Sequence, residues 1–235
     1  MSAFDVVIPS ANAANVIGCV ESLLANEPEL ERSSIFVVDD GARAGAEGRL
    51  PGVRWVEGVK PFVFARNANR GLFASARDVV LLNDDAPLLT HRGLSHLAAA
   101  AHAHSRAGIV SATIRGAVGN PNQRERAGAP LRPETHVLCF VCVYLRRELI
   151  DTIGPLDERF VGYGYEDNDY CRRARAAGFT LAVSPDCVVD HTGKLRPTFR
   201  SRRDFPHLVL QNRRLYMQKL SEKGDSTAGG ARYGV

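Results

Sequence analysis

The chain has 235 residues, 45% of them apolar and 24% charged, with 30 Lys and Arg against 26 Asp and Glu. That is ordinary globular composition, long enough for one α/β domain with a full core and a small appendage, and it excludes a fibrous or wholly disordered chain. The charge is uneven: residues 194–219 hold eight Lys or Arg against Asp204 alone, leaving 22 basic against 25 acidic residues elsewhere.

Residues 4–9, FDVVIP, read as a first strand stopped by Pro9. Nothing before them has the basic and then long apolar pattern of a signal peptide. No run along the chain approaches a membrane span in length. Five cysteines, an odd number without secretory context, read as reduced thiols. The expected location is cytoplasmic or peripheral at a membrane. After a polar turn at 10–15, Val16, Val20, Leu23 and Leu24 give a helical stripe to about residue 26. Residues 35–38 form a second buried strand that runs into Asp39-Asp40-Gly41. A Gly- and Ala-rich loop and a strand at 53–56 follow. Within residues 64–75, Arg66-Asn67-Ala68-Asn69-Arg70-Gly71 reads as a polar turn opening a short Ala-rich helix.

Val79-Val80-Leu81-Leu82 then reads as a strand buried on both faces, ending in Asn83-Asp84-Asp85-Ala86-Pro87. Adjacent carboxylates repel unless a cation sits beside them. Hard oxygen ligands suit Mg²⁺ or Mn²⁺, particularly with substrate phosphates completing the shell. The plainer reading is a solvated Asx turn. Two strands ending in acid pairs favour the functional reading, because strand ends of one α/β sheet border one crevice.

A helix is expected over 93–107, a strand over 108–112, a Gly/Pro/Asn/Arg loop over 116–133, a strand over 137–144 and a helix over 146–153. Cys139 and Cys142 have CxxC spacing but lie in an apolar run, as small buried thiols do. A Gly/Tyr loop, Gly162-Tyr163-Gly164-Tyr165, leads into a helix opening on Glu166-Asp167-Asn168-Asp169. Acids suit a helix N-terminus, yet three in four positions exceed what capping needs. Strands at 179–183 and 187–190 follow, the second running into His191. A lid helix is expected at 206–220. The division is a catalytic domain over 1–193, an arm over 194–220 and a disordered tail over 221–235.

The set Val6-Val7-Ile8-Pro9-Ser10, Val38-Asp39-Asp40-Gly41, Asn69-Arg70-Gly71, Asn83-Asp84-Asp85, Glu166-Asp167, Asp190-His191 and Asn212-Arg213-Arg214, in that order, resembles the family-2 glycosyltransferases. The resemblance covers roughly residues 4–220. It implies a GT-A fold, with a mostly parallel Rossmann-like sheet flanked by helices. It also implies metal-dependent, inverting transfer of a sugar from a nucleoside-diphosphate-sugar, a UDP-sugar first. On these residues it makes Asp39 the reader of the base, with Pro9 and Ser10 flanking the nucleotide and Asn69, Arg70 and Gly71 close to it. Asn83-Asp84-Asp85 resembles the DXD motif with Asn in place of its first acid. Asp84 would then face the ribose, and Asp85 with His191 would hold Mn²⁺ or Mg²⁺. Asp167 matches the catalytic base, Glu166 its positioning partner, and Tyr163, Gly164 and Tyr165 border the acceptor. Asp169 reads as a structural acid. Lys194, Arg196 or Arg200 could close over the diphosphate.

The acceptor stays open among glycan, glycolipid or other hydroxyl compounds. A basic arm can also meet phosphate backbones, so a nucleic-acid acceptor remains in the set. Two other functions compete. A non-catalytic nucleotide-sugar-binding module is one, although no GxGxxG follows the first strand and no Walker lysine loop is present. A nucleotidyltransferase is the other, and it would need a Gly- and Lys-rich first loop that residues 10–15 lack.

Overall fold

The structure is a computed structural model and describes residues 3–126, 128–134, 136–193 and 205–222. Its elements are β1 (Phe4–Ser10), α1 (Ala13–Asn26), β2 (Ile35–Asp39), α2 (Arg43–Ala46), β3 (Arg54–Glu57), α3 (Phe64–Ala74), β4 (Asp78–Leu82), α4 (Gly93–His102), β5 (Ala107–Gly116), β6 (Arg132–Glu134), β7 (Cys142–Leu145), α5 (Arg147–Ile153), α6 (Glu166–Ala176), β8 (Thr180–His191) and α7 (Phe205–Glu222). The eight strands form one sheet in the order β3-β2-β1-β4-β7-β5-β8-β6. β1 pairs parallel with β2 and β4, β2 with β3, and β5 with β8, while β7 and β6 run antiparallel to their neighbours. Two reversals across β7 leave β5 and β8 pointing the same way as β4. The carboxyl ends of β1, β2, β4 and β8 therefore lie on one edge.

Strand alternation divides the core into two layers. Val6 and Ile8 of β1, Val80 and Leu82 of β4 and Ile35 of β2 pack with α1 and α4 on one face. Val7, Val79, Leu81 and Phe36 pack with α3, α5 and α6 on the other. Each fully buried Val or Leu contributes about 1.5–3 kcal/mol. α3 lies close on β1 because Gly71 has no side chain: a Cβ there would stand 2.1 Å from Val7 Cγ1.

Several expected elements differ from the observed ones. The apolar run at 137–144 forms a strand only over Cys142–Leu145. Before it, the Cys139 N–H donates to Gln123 Oε1 (2.7 Å) and Leu138 N–H to Cys171 Sγ (3.4 Å), so side chains replace the ladder. Apolar character reported burial there, not pairing. The two expected last strands are one, β8. Its register against β5 jumps from Ala112↔Ser184 to Thr113↔Val188, so three residues including Pro185 bulge out and the strand resumes. β1 continues through Pro9 to Ser10, and the 116–133 loop ends in β6. Residues 194–204, with Lys194, Arg196 and Arg200, and residues 223–235 of the expected tail lie outside the described residues. Ser221 and Glu222 close α7, two residues later than expected.

Candidate active site

The segment after β4 turns and runs back along β8. Leu88 pairs with Val189, Leu89 N–H donates to Val188 O (2.9 Å), and Asp190 N–H donates to Pro87 O (2.9 Å). That pairing carries Asp85 to the end of β8, where His191 Nε2 lies 3.7 Å from Asp85 Oδ1. His191 Nδ1 hydrogen-bonds the carbonyl of Ala117. A carbonyl only accepts, so Nδ1 carries a proton, and Nε2 is the ring nitrogen that faces Asp85. Gly116 makes the approach feasible. It pairs with His191, its φ is 109°, and a Cβ there would stand 2.4 Å from the His191 carbonyl oxygen.

Asp84 has a different environment. It is 6% exposed, and the Ser10 hydroxyl, 2% exposed, donates to its Oδ2 at 2.6 Å. Burial pushes its carboxyl up to about 7, with Asp85's charge adding to this and hydrogen bonds from Ser10 and Asn15 opposing it. Ser10 and Asp84, the residues expected to flank the nucleotide and face its ribose, are hydrogen-bonded to each other. Pro9 is likewise buried within β1, paired with Val38. Asn83 starts the turn, its N–H donating to Val141 O (2.9 Å) and its carbonyl accepting from Ala86 N–H (3.2 Å).

Asp39 is half-buried at the end of β2, as expected, and its Oδ1 accepts from Gly41 N–H (2.8 Å) and Arg43 N–H (2.9 Å). Its neighbour Asp40 went unassigned in the sequence. Asp40 Oδ1 is buried without a hydrogen bond, and its carboxyl is raised by burial, a shift that Lys60's charge opposes. The only signal for Lys60 was its place just after β3.

Asn69, Arg70 and Gly71 do not reach this edge. Asn69 Nδ2 donates to Leu156 O (2.9 Å), and its Oδ1 accepts from Leu156 N–H (2.9 Å), tying α3 to the loop before α6. Arg70 is exposed, and Gly71 abuts Val7, roughly 10 Å back along β1 from Ser10 at strand rise. The α3 side chain nearer the crevice is Asn67, which accepts from Val59 N–H (2.8 Å). A polar-turn reading of 66–71 missed the helical phase that sorts these residues.

Glu166 and Asp167 open α6, 2% and 5% exposed. Burial, then the charge of Asp167, holds the Glu166 carboxyl well above the usual range, and the Gly164 N–H donates to its Oε2 at 2.6 Å. Asp167 Oδ1 accepts from Asn168 N–H (2.8 Å). Asp169, fully buried, meets Arg173 Nε (2.9 Å), Arg172 (3.4 Å) and Lys219 Nζ (2.7 Å), the structural role expected of it. Tyr163 packs edge-on against Phe64, and Tyr165 lies 5.7 Å from Tyr216 of α7, ring to ring.

Among the described residues no group of three or more His, Cys, Asp or Glu side chains is arranged to hold a metal ion. Among the described residues, Asp85 and His191 Nε2 are the two donors that face each other at this edge. A carboxylate oxygen and an imidazole nitrogen suit Mn²⁺ or Mg²⁺ when substrate phosphates and water fill the remaining positions. All five cysteines are free and buried, including Cys139 and Cys142.

No family model matches the chain. An uncharacterized protein of Sinorhizobium fredii, y4gI, is 24% identical over 219 residues, which cover 80% of this chain and 24% of that protein. Among solved structures, the mannosyltransferase PcManGT from Pyrobaculum calidifontis, in complex with GDP-Man and Mn²⁺, superposes with a TM-score of 0.67 at 16% identity. The match covers 94% of this chain and 64% of that one. GalNAc-T7 with UDP, GalNAc and Mn²⁺ gives 0.70 at 13% identity over 92% and 47%. S. aureus TarS 1–349 in complex with UDP-GlcNAc gives 0.67 at 16% identity over 93% and 66%. The chain has the GT-A fold of these glycosyltransferases, and it spans less than two thirds of the length of most of these proteins.

Proposed function

We propose that this chain is a divalent-metal-dependent, inverting glycosyltransferase that moves a sugar from a nucleoside-diphosphate-sugar to an acceptor hydroxyl. The observation that carries this reading is the Asp85–His191 pair, 3.7 Å apart with Nε2 of the imidazole turned toward the carboxylate. It stands on the sheet edge that also holds Asp39 and the turn after β4. When bound there, Mn²⁺ or Mg²⁺ would neutralise charge on the departing nucleoside diphosphate. Asp39, with Asp40 and Lys60 beside it, suits a base that presents both an N–H and a carbonyl, as uracil does. Asp167 accepts the acceptor's proton as the hydroxyl attacks in line, which inverts the anomeric centre. Glu166, its carboxyl raised by burial and by the charge of Asp167, steadies the loop in front of it through the Gly164 N–H. The GT-A fold over nearly the whole chain supports the reading, as do the sugar nucleotides bound by two of its structural neighbours.

The test is release of UDP, GDP or dTDP from the corresponding sugar nucleotides, with and without Mn²⁺. Asp85→Ala removes metal stimulation and activity together. Asp167→Asn keeps donor binding but slows transfer about 10²–10⁴-fold. Normal transfer by Asp167→Asn would show that the base lies elsewhere. Tight nucleotide-sugar binding without any release would instead identify a binding module.

A further inference from the structure

The loop in front of Asp167 cannot hold its own shape. Gly162, Gly164 and Tyr165 all have left-handed backbone, at φ 64°, 111° and 72°. For Tyr165 that conformation costs about 1–3 kcal/mol and persists only if its surroundings impose it. Two elements do so. The first residue of α3, Phe64, donates its N–H to Gly162 O at 2.7 Å. The second is a side chain of α7. Asn212 is 1% exposed, its Oδ1 accepts from Val161 N–H (2.9 Å), and its Nδ2 donates to both Val161 O and Gly164 O (2.8 Å each). The N–H of that same Gly164 holds Glu166, the residue before Asp167.

We infer that Asn212 is a positioning residue for the transfer step. From outside the crevice, its carboxamide fixes residues 161–164 and so sets where Asp167 and Tyr165 stand relative to the acceptor. The role on Asp167 rests on the glycosyltransferase reading, whereas the clamp on the loop does not. An amide is required, since the site needs one acceptor and two donor hydrogens on one planar group. Aspartate keeps the acceptor, loses both donors and sets a charge against two carbonyls. Neighbouring Gln211, Arg213 and Arg214 are exposed.

The experiment uses the full chain and compares wild type, Asn212→Asp, Asn212→Ala and the surface control Gln211→Ala. Amide hydrogen exchange in wild type comes first and needs no variant: the Val161 N–H should be protected. Asn212→Asp should raise exchange across 161–164 about tenfold or more and leave the sheet unchanged. It should lower kcat for transfer about 10–100-fold, with the donor dissociation constant in Mn²⁺ changed less than about threefold. A merely structural role would instead weaken donor binding and the whole fold together. An unprotected Val161 amide, or wild-type kcat in Asn212→Asp, overturns the inference. Wild-type protein that releases no nucleoside diphosphate from any donor would sink the glycosyltransferase reading and the role on Asp167 with it, while exchange still judges the clamp.

Discussion

The Ser10 hydroxyl reaches Asp84 at 2.6 Å, while Asp85, one residue on, points to His191 at 3.7 Å. Both carboxylates were legible as candidates in the sequence, because acids at the end of a buried strand are costly without a purpose. Which of them lines the crevice was not legible. That depended on Ser10, 74 positions away, and on α1 delivering Asn15 to the same oxygens. Gly116 is a stronger case, since nothing in its surroundings in the chain marked it. In the fold it is the one residue type that can pair with His191 at φ 109°. Gly116→Ala should cost about 1–3 kcal/mol from strain alone. It should also push the end of β8 aside and raise the Mn²⁺ half-saturation of nucleotide release about tenfold. Unchanged metal dependence in a folded Gly116→Ala protein would mean that His191 does not hold the metal.

At the scale of elements, α7 was expected as a lid packed on its own domain, and its described residues are joined to the domain by a charged end and an amide. Lys219 Nζ lies 2.6 Å from Asp157 and 2.7 Å from the fully buried Asp169. Removing one partner from such a group leaves a buried charge uncompensated. Lys219→Ala should therefore cost about 2–4 kcal/mol, lowering Tm by roughly 5–10 °C for a chain of this size. The same end of the helix carries an acid dependence. Arg159, then Lys219, hold the Asp157 carboxyl well below the usual range, against the effect of burial. A depressed folded value means that this contribution is complete above the unfolded value of about 3.9 and is lost as pH falls through the folded one. Stability of wild type should decline below about pH 4. Lys219→Ala should show a shallower decline, measured by urea unfolding at pH 6, 4 and 3. Parallel profiles for the two proteins would remove α7 from the acid response.

At the scale of the molecule, the sheet edge gathers groups from β1, β2, β4 and β8, and the loop before α6 lies under α7. With two donors for a cation facing each other among the described residues, metal and nucleotide should bind together rather than separately. In thermal unfolding, Mn²⁺ alone should leave Tm nearly unchanged, and so should UDP or GDP alone. Mn²⁺ with the cognate diphosphate at about 100 times its dissociation constant should add about 2.7 kcal/mol, a rise of roughly 5–10 °C. A full shift with Mn²⁺ alone would point to more protein ligands than Asp85 and His191.

The sequence by itself determined the alternation of strands and helices, the buried strands that end in acids, the acidic start of α6 and the candidacy of His191. The first three follow from local pattern, since apolar period reports burial and a strand that runs into charge reports an edge, whereas the candidacy of His191 came from the resemblance to the family-2 glycosyltransferases. The tertiary structure decided what depends on partners far along the chain. It made one strand of Thr180–His191, turned Asp84 inward and Asp85 outward, and withdrew Asn69 and Gly71 from the crevice into packing. It also set Asn212 against the loop before α6. A side chain's role at such a site is set by the group that faces it, and sequence neighbours do not reveal that group.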